Sequence, residues 1–158
     1  GGSFGAVFNH GGHDNIVTNN IFVECGLALG SAPWPDALWK QWLSEPLWQG
    51  NLLEEVDITK APFTDRYPEL KGYMEYESGL RLNHASRNVT VKTKNLVNGN
   101  WTVDESFVTQ EDPGFVDYKA QNFMLKDNAE LFGLIPGFEP IPFGEIGLMV
   151  DEYRKVVE

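Results

Sequence analysis

The first part of the chain sets short apolar runs between breaks rich in Gly and Asn. Gly5-Ala6-Val7-Phe8 reads as a short strand and Gly11-Gly12-His13-Asp14 as a turn. Glycine reaches positive φ without strain, and an Asp side chain bonds its own backbone. Asn15-Ile16-Val17-Thr18 reads as a second strand and Asn19-Asn20 as a second turn, since Asn tolerates the left-handed region. Ile21–Glu24 and Leu27–Leu29 follow as a third and a fourth strand. Strands this short, joined by corners this tight, do not suit the hairpins of a sandwich. They suit a chain that turns corners without reversing, as in a solenoid.

The pattern changes over residues 34–82. Pro35–Leu43 places apolar residues at helical spacing, with Pro and Asp in the first turn. Ser44-Glu45-Pro46 restarts a second helix carrying Leu47, Trp48, Leu52 and Leu53, and Thr64–Leu70 reads as a capped helical turn. From residue 83 the β pattern returns. Asn88–Val97 alternates apolar and polar residues, as a strand with one covered face does. It repeats the order of Asn15–Phe22: Asn, β-branched strand, Asn, apolar pair. Asp112–Asp117 reads as a turn, Asn122–Leu125 as a last strand, and the Pro-rich stretch Ile135–Phe143 as a cap across one end. Asp151–Glu158 reads as a terminal turn of helix. The expectation is a single all-β domain over 1–158: a β-helix rung over 1–33, a helical Trp-rich insertion over 34–82, and final rungs with a carboxy-terminal cap over 83–158.

Composition narrows the function. Apolar residues make up 42% of the chain, enough for a core and too much for disorder. Asp and Glu number 23 against 12 Lys and Arg, a net charge of −11. That excludes nucleic acid as a partner, which needs a basic surface. It also disfavours a polyanionic substrate such as pectate or alginate, whereas a neutral glycan carries no charge penalty. The lone cysteine, Cys25, allows no intrachain disulfide and sits in an apolar run as a small buried residue. No stretch is long and apolar enough to span a membrane, and no signal peptide is visible. The opening Gly1-Gly2-Ser3-Phe4-Gly5 already reads like structured interior sequence, so a longer protein with its export signal upstream is expected.

Three stretches carry a resemblance. Gly5–Cys25 resembles a rung of bacterial right-handed parallel β-helix repeat proteins of the pectate-lyase-like superfamily. Arg66-Tyr67-Pro68-Glu69-Leu70, following a Trp-rich insert, is similar to a segment of one large subgroup. Asp112–Asp117, Phe123-Met124-Leu125 and Gly137-Phe138-Glu139-Pro140-Ile141-Pro142-Phe143-Gly144-Glu145-Ile146-Gly147-Leu148 look like that subgroup's carboxy-terminal signature. The resemblance implies an all-β, right-handed parallel β-helix with a helical insertion. It also implies glycan processing by a hydrolase or lyase, usually exported, so a secreted or periplasmic location is expected. Family members have more rungs upstream. A shorter β-helix exposes a bare end of parallel strands, which predicts a homo-oligomer through the amino-terminal rung or a cap at residues 1–5.

The candidate chemistry falls into three groups. Asn9-His10-Gly11-Gly12-His13-Asp14 puts two imidazoles and a carboxylate in one turn. Such groups can act as general base, hold a divalent cation, or simply face solvent. No permanent cofactor is expected. Glycoside hydrolysis needs two carboxyl groups. Asp14 and Glu24 are the first candidates, because the resemblance places the cleft on their rung, with His10 or His13 assisting. Glu54, Glu55 and Asp57 form a further acidic cluster. For substrate binding, Trp34 stands between two prolines at the insert edge, where an indole can stack on a sugar face. Arg66, Tyr67 and Asn9 could line the same cleft, while Trp39 and Trp42 read as packing. Asn19, Asn20 and Asn95 read as structural stacks between coils. Asn88-Val89-Thr90 and Asn100-Trp101-Thr102 match the glycosylation sequon. The expected function is a glycoside hydrolase acting on a neutral plant-type polysaccharide. The alternatives are a non-catalytic glycan-binding or capping segment of a larger enzyme, and a polysaccharide lyase. A lyase would want a Lys or Arg base near the groove, and the first rung has none.

Overall fold

The computed structural model describes residues 4–74, 82–148 and 150–156. The chain is mostly β with some helices. A first coil contributes β1 (Val7–His10), β2 (Ile16–Thr18) and β3 (Ile21–Val23). A second contributes β4 (Leu27–Ala32), β5 (Asn83–Ser86) and β6 (Val89–Val91), and a third β7 (Asn95–Asn98), β8 (Trp101–Asp104) and β9 (Phe107–Thr109). Each coil lays one strand on each of three sheets, ordered β1-β4-β7, β2-β5-β8 and β3-β6-β9. Every pairing in these sheets is parallel and in register. This arrangement is compatible with a β-solenoid.

The corners explain why the chain turns without reversing. Between the second and third sheets a single left-handed residue bends each coil: Asn19 at φ 59°, Arg87 at 51° and Glu105 at 43°. Glu24 at φ 52° and Lys92 at 48° do the same between the third and first sheets. The residue after each bend then bonds the next coil. The Asn20 backbone N–H and Nδ2 both donate to Asn88 Oδ1, at 3.0 and 3.1 Å, and Asn88 Nδ2 donates to Val17 O at 2.9 Å. A matching column runs through Asn15, Asn83 and Asn100 at the corner between the first and second sheets. These side chains satisfy corner backbone groups that no strand can reach. Of the expected stacks, Asn20 behaves so. Asn95 does too, its Nδ2 donating to the corner carbonyl of Gly26 one coil back, whereas Asn19 pairs with the backbone of Glu139. Asn88 is buried in its column, so the first sequon is structural rather than a surface acceptor.

Two local readings change. Asn88–Val97 is not one strand but β6 and β7, on different sheets, because Lys92 turns the chain between them. The internal repeat is real in a different frame: Asn20 aligns with Asn88, and Asn15 with Asn83, each 68 residues on. The next coil returns after 18, as between Asn88 and Ser106.

Side chains alternate across each strand. Phe22, Ala28, Leu29 and Ala85 form one buried cluster with Val17 and Val103. On the third sheet the opposite face is also covered. Val89 and Val91 pack against Phe115, Leu131, Ile135 and Phe138 from the carboxy-terminal part. That part contains the antiparallel hairpin β10 (Phe115–Asp117) and β11 (Asn122–Leu125) and the short helix α4 (Leu131–Leu134); the helices of the insertion are numbered α1–α3 below. The Pro-rich stretch therefore lies along the outer face of the third sheet instead of across an end. Val108, in the interior row of the third coil, stays 52% exposed. Residues 1–3 of the expected amino-terminal cap lie outside the described residues; Phe4 packs edge-on to Phe8 at 4.8 Å. At the other terminus, Asp151 Oδ1 accepts from the Tyr153 and Arg154 N–H groups, which makes a turn where a helical turn was expected.

Candidate functional site

One corner collects the differences between coils. From the first sheet to the second, the chain uses residues 11–15 in the first coil, 33–82 in the second and 99–100 in the third. The insertion between β4 and β5 begins with α1 (Asp36–Ser44) and α2 (Pro46–Gln49), continues through a π-helical turn over Gly50–Glu55, and reaches α3 (Phe63–Arg66). Pro46 starts α2 because its missing N–H costs nothing in a first turn.

Trp34 anchors this insertion to the first coil. A β-carbon on Gly11 would lie 2.5 Å from the Trp34 ring, and Gly11 has φ +73°. Only glycine allows the indole to rest on that backbone. Trp34 is thus half-buried rather than freely presented, and it starts a chain of indoles. Its centroid lies 5.3 Å from Trp39 and 5.0 Å from Trp42, and Trp42 lies 5.4 Å from Trp48. With Leu52 and Ile58 these rings line a pocket of about 420 Å3.

The histidine turn meets the indoles directly. His13 Nδ1 lies 2.7 Å from Asp14 Oδ2. The imidazole is 14% exposed, the carboxylate 56%. The His13 ring stands edge-on to Trp39 at 5.1 Å, and His10 stands edge-on to Trp34 at 6.1 Å. Asp14 is held at φ 56° by its own N–H bonding Leu82 O, and Asn15 Nδ2 donates to His13 O. A carboxylate against Nδ1 favours the proton on that nitrogen and fixes the ring. Among the described residues, no three His, Cys, Asp or Glu side chains converge into a metal-binding group. Asn9, half-buried on β1, leaves its Nδ2 buried without a hydrogen-bond partner.

The other candidates stand elsewhere. Glu24 occupies the corner between the third and first sheets, with β2 and β3 between it and Asp14. Three residues of strand span roughly 10 Å, so two such legs on different sheets do not bring these carboxylates together. Glu24 instead accepts a hydrogen bond from the Tyr118 hydroxyl at 2.5 Å, and Lys92 Nζ sits 4.2 Å from the centre of the Tyr118 ring. The bond to Glu24 pushes the Tyr118 phenol above its usual pKa, and desolvation adds to the rise. Arg66 and Tyr67 are exposed at the end of α3. They contact each other and line a separate hollow with Pro62, Phe63 and Asp65. Hydrogen bonds from Lys60 and Thr59 lower the pKa of the Asp57 carboxyl, and it ties down the loop after the π-helical turn.

Trp39 packs on His13, in keeping with its reading as packing. One feature escaped sequence reasoning. His84 stacks between Ile16 and Thr102 on the second sheet, exposed. The 68-residue offset would have placed it, had the repeat been taken in the frame that pairs Asn20 with Asn88.

Comparison with known proteins identifies no relative: no family model matches the chain, and no curated protein or solved structure matches it.

Proposed function

We propose that this chain is part of a carbohydrate-active, right-handed parallel β-helix protein of the pectate-lyase-like kind. In this reading it engages a neutral glycan at the corner between its first and second sheets. The observation that carries the reading is the His13–Asp14 pair at 2.7 Å, packed against the indoles of the insertion. Indoles offer the flat apolar surface a sugar face stacks on, and the pair and His10 offer groups for hydroxyls. A net charge of −11 favours an uncharged glycan over a polyanion.

Two roles follow at this one place. In glycan binding without cleavage, His13 and Asp14 orient hydroxyls; the separation of Asp14 from Glu24 favours this role. In hydrolysis, Asp14 or the His13–Asp14 pair handles the proton, and the second carboxyl group is not Glu24. The test is affinity for a panel of neutral and acidic polysaccharides, with reducing-sugar release measured in parallel, for the purified chain and for Asp14→Asn, His13→Ala and Glu24→Gln. Binding to a neutral glycan that His13→Ala weakens and Glu24→Gln leaves intact is the expected result. Sugar release abolished by Asp14→Asn in a folded protein makes the corner catalytic. Retention of every glycan affinity in His13→Ala sinks the assignment of this corner.

A further inference from the structure

The pocket of the insertion has a wall that a bare sugar does not suit. Trp34, Trp39, Trp42, Trp48, Leu52 and Ile58 supply most of it, and its accessible lining is almost wholly carbon. A sugar hydroxyl buried against such a wall loses its water and finds few partners in exchange. A glycan platform is open and edged with hydrogen-bonding groups. Here those groups, His13 and Asp14, do not line the pocket; His13 stands edge-on to Trp39, which does. The volume, about 420 Å3, is in the range of small-ligand sites. Neighbouring indoles are tilted by 42–46°, so an inserted ring meets edges on some walls and faces on others, the geometry aromatic groups favour.

We infer that this pocket binds an uncharged aromatic group, carried as a substituent on the glycan that the adjoining corner engages. The first half stands on the pocket alone; the second rests on the function proposed above. The division of labour is physical. The polar turn takes hydroxyls, the carbon-lined pocket rejects them, and a molecule with one ring of each kind satisfies both. An aryl-substituted glycoside should therefore bind better than the same sugar carrying a methyl group.

The probes are 2-methoxynaphthalene, 2-naphthyl β-glucoside and methyl β-glucoside, titrated against the intact chain by tryptophan fluorescence and calorimetry. Leu52→Trp fills the pocket, and Trp42→Leu removes an aromatic wall; circular dichroism checks that both remain folded. One saturable site for 2-methoxynaphthalene, weakened about tenfold or more by Leu52→Trp, is expected. The naphthyl glucoside should bind more tightly than the methyl glucoside, and Trp42→Leu should narrow that difference. If 2-methoxynaphthalene fails to saturate, or binds both folded variants as well as the parent, the pocket assignment is overturned. If it binds as expected while the two glucosides gain nothing from the sugar, the aromatic site stands and the glycan reading of the corner falls. Should neutral polysaccharide bind while both naphthyl probes fail, the reverse holds.

Discussion

Two corners of the same coil behave in opposite ways. Between the second and third sheets every coil spends the same two residues, 19–20, 87–88 and 105–106, with the first of each pair left-handed. Between the first and second sheets the connection varies from 99–100 to the whole of 33–82. The constant corner is locked by a polar column centred on the buried Asn88, in which each member serves two coils. The variable corner keeps a column at its base, Asn15-Asn83-Asn100, and lets the chain depart just before it. A polar column therefore does not forbid an insertion; it marks where the chain must return. The chemistry-bearing side chains gather at the corner where length is free.

Three substitutions probe this contrast, in decreasing order of effect. Asn88→Ala at the constant corner removes an acceptor for Asn20 and a donor to Val17 O from a buried position. It should cost about 3 kcal/mol, because the groups left behind stay buried and unpaired. Chemical unfolding should show a lower midpoint with the transition still cooperative. An unchanged midpoint would make the column decorative.

Gly11→Ala at the variable corner should cost about 2 kcal/mol, from a strained positive φ and an overlap with Trp34. The damage should stay local. Tryptophan emission should shift to the red as the insertion lifts, while the β signal in circular dichroism persists. Loss of both together would show that the insertion and the coils fold as one unit.

The smallest effect belongs to the third corner, where Tyr118 is latched to Glu24. Its phenol has a raised pKa in the folded chain, chiefly through that bond. The folded state therefore holds this proton more firmly than the unfolded chain does. The contribution is complete below about pH 10, the unfolded value, and fades as pH climbs through the folded one. Tyr118→Phe should lower stability slightly at neutral pH, where the bond to Glu24 is intact, and flatten the decline above pH 10. A variant that keeps the alkaline decline in full assigns that decline to other groups.

Part of this structure was legible in the order of residues. β2 and β3 could be placed because Asn19 and Asn20 announce a left-handed corner, and turn chemistry acts over neighbouring residues. α1 could be placed because Pro35, Asp36 and the spacing of Leu38, Trp39 and Trp42 are local signals of helix. The turn at His13 and Asp14 was legible for the same reason. Glu24 was expected beside Asp14 because both lie on the first rung, but β2 and β3 separate them and each stands at a different corner of that rung.

What the sequence alone determined is the local vocabulary: short strands, left-handed corners, an aromatic helical insertion and an acidic surface. Each depends on the conformational and transfer preferences of residues a few positions apart. Only the tertiary structure decided the 68-residue register, the placing of Trp34 on Gly11, and the carboxy-terminal cover over the outer face of the third sheet. These depend on which distant backbone groups and apolar faces satisfy one another. Parallel pairing across an insertion leaves no local trace, because any residue with a free N–H and C=O can join it; the choice falls to the Asn columns, with Asn83 and Asn88 buried at their centres, and the packing they permit.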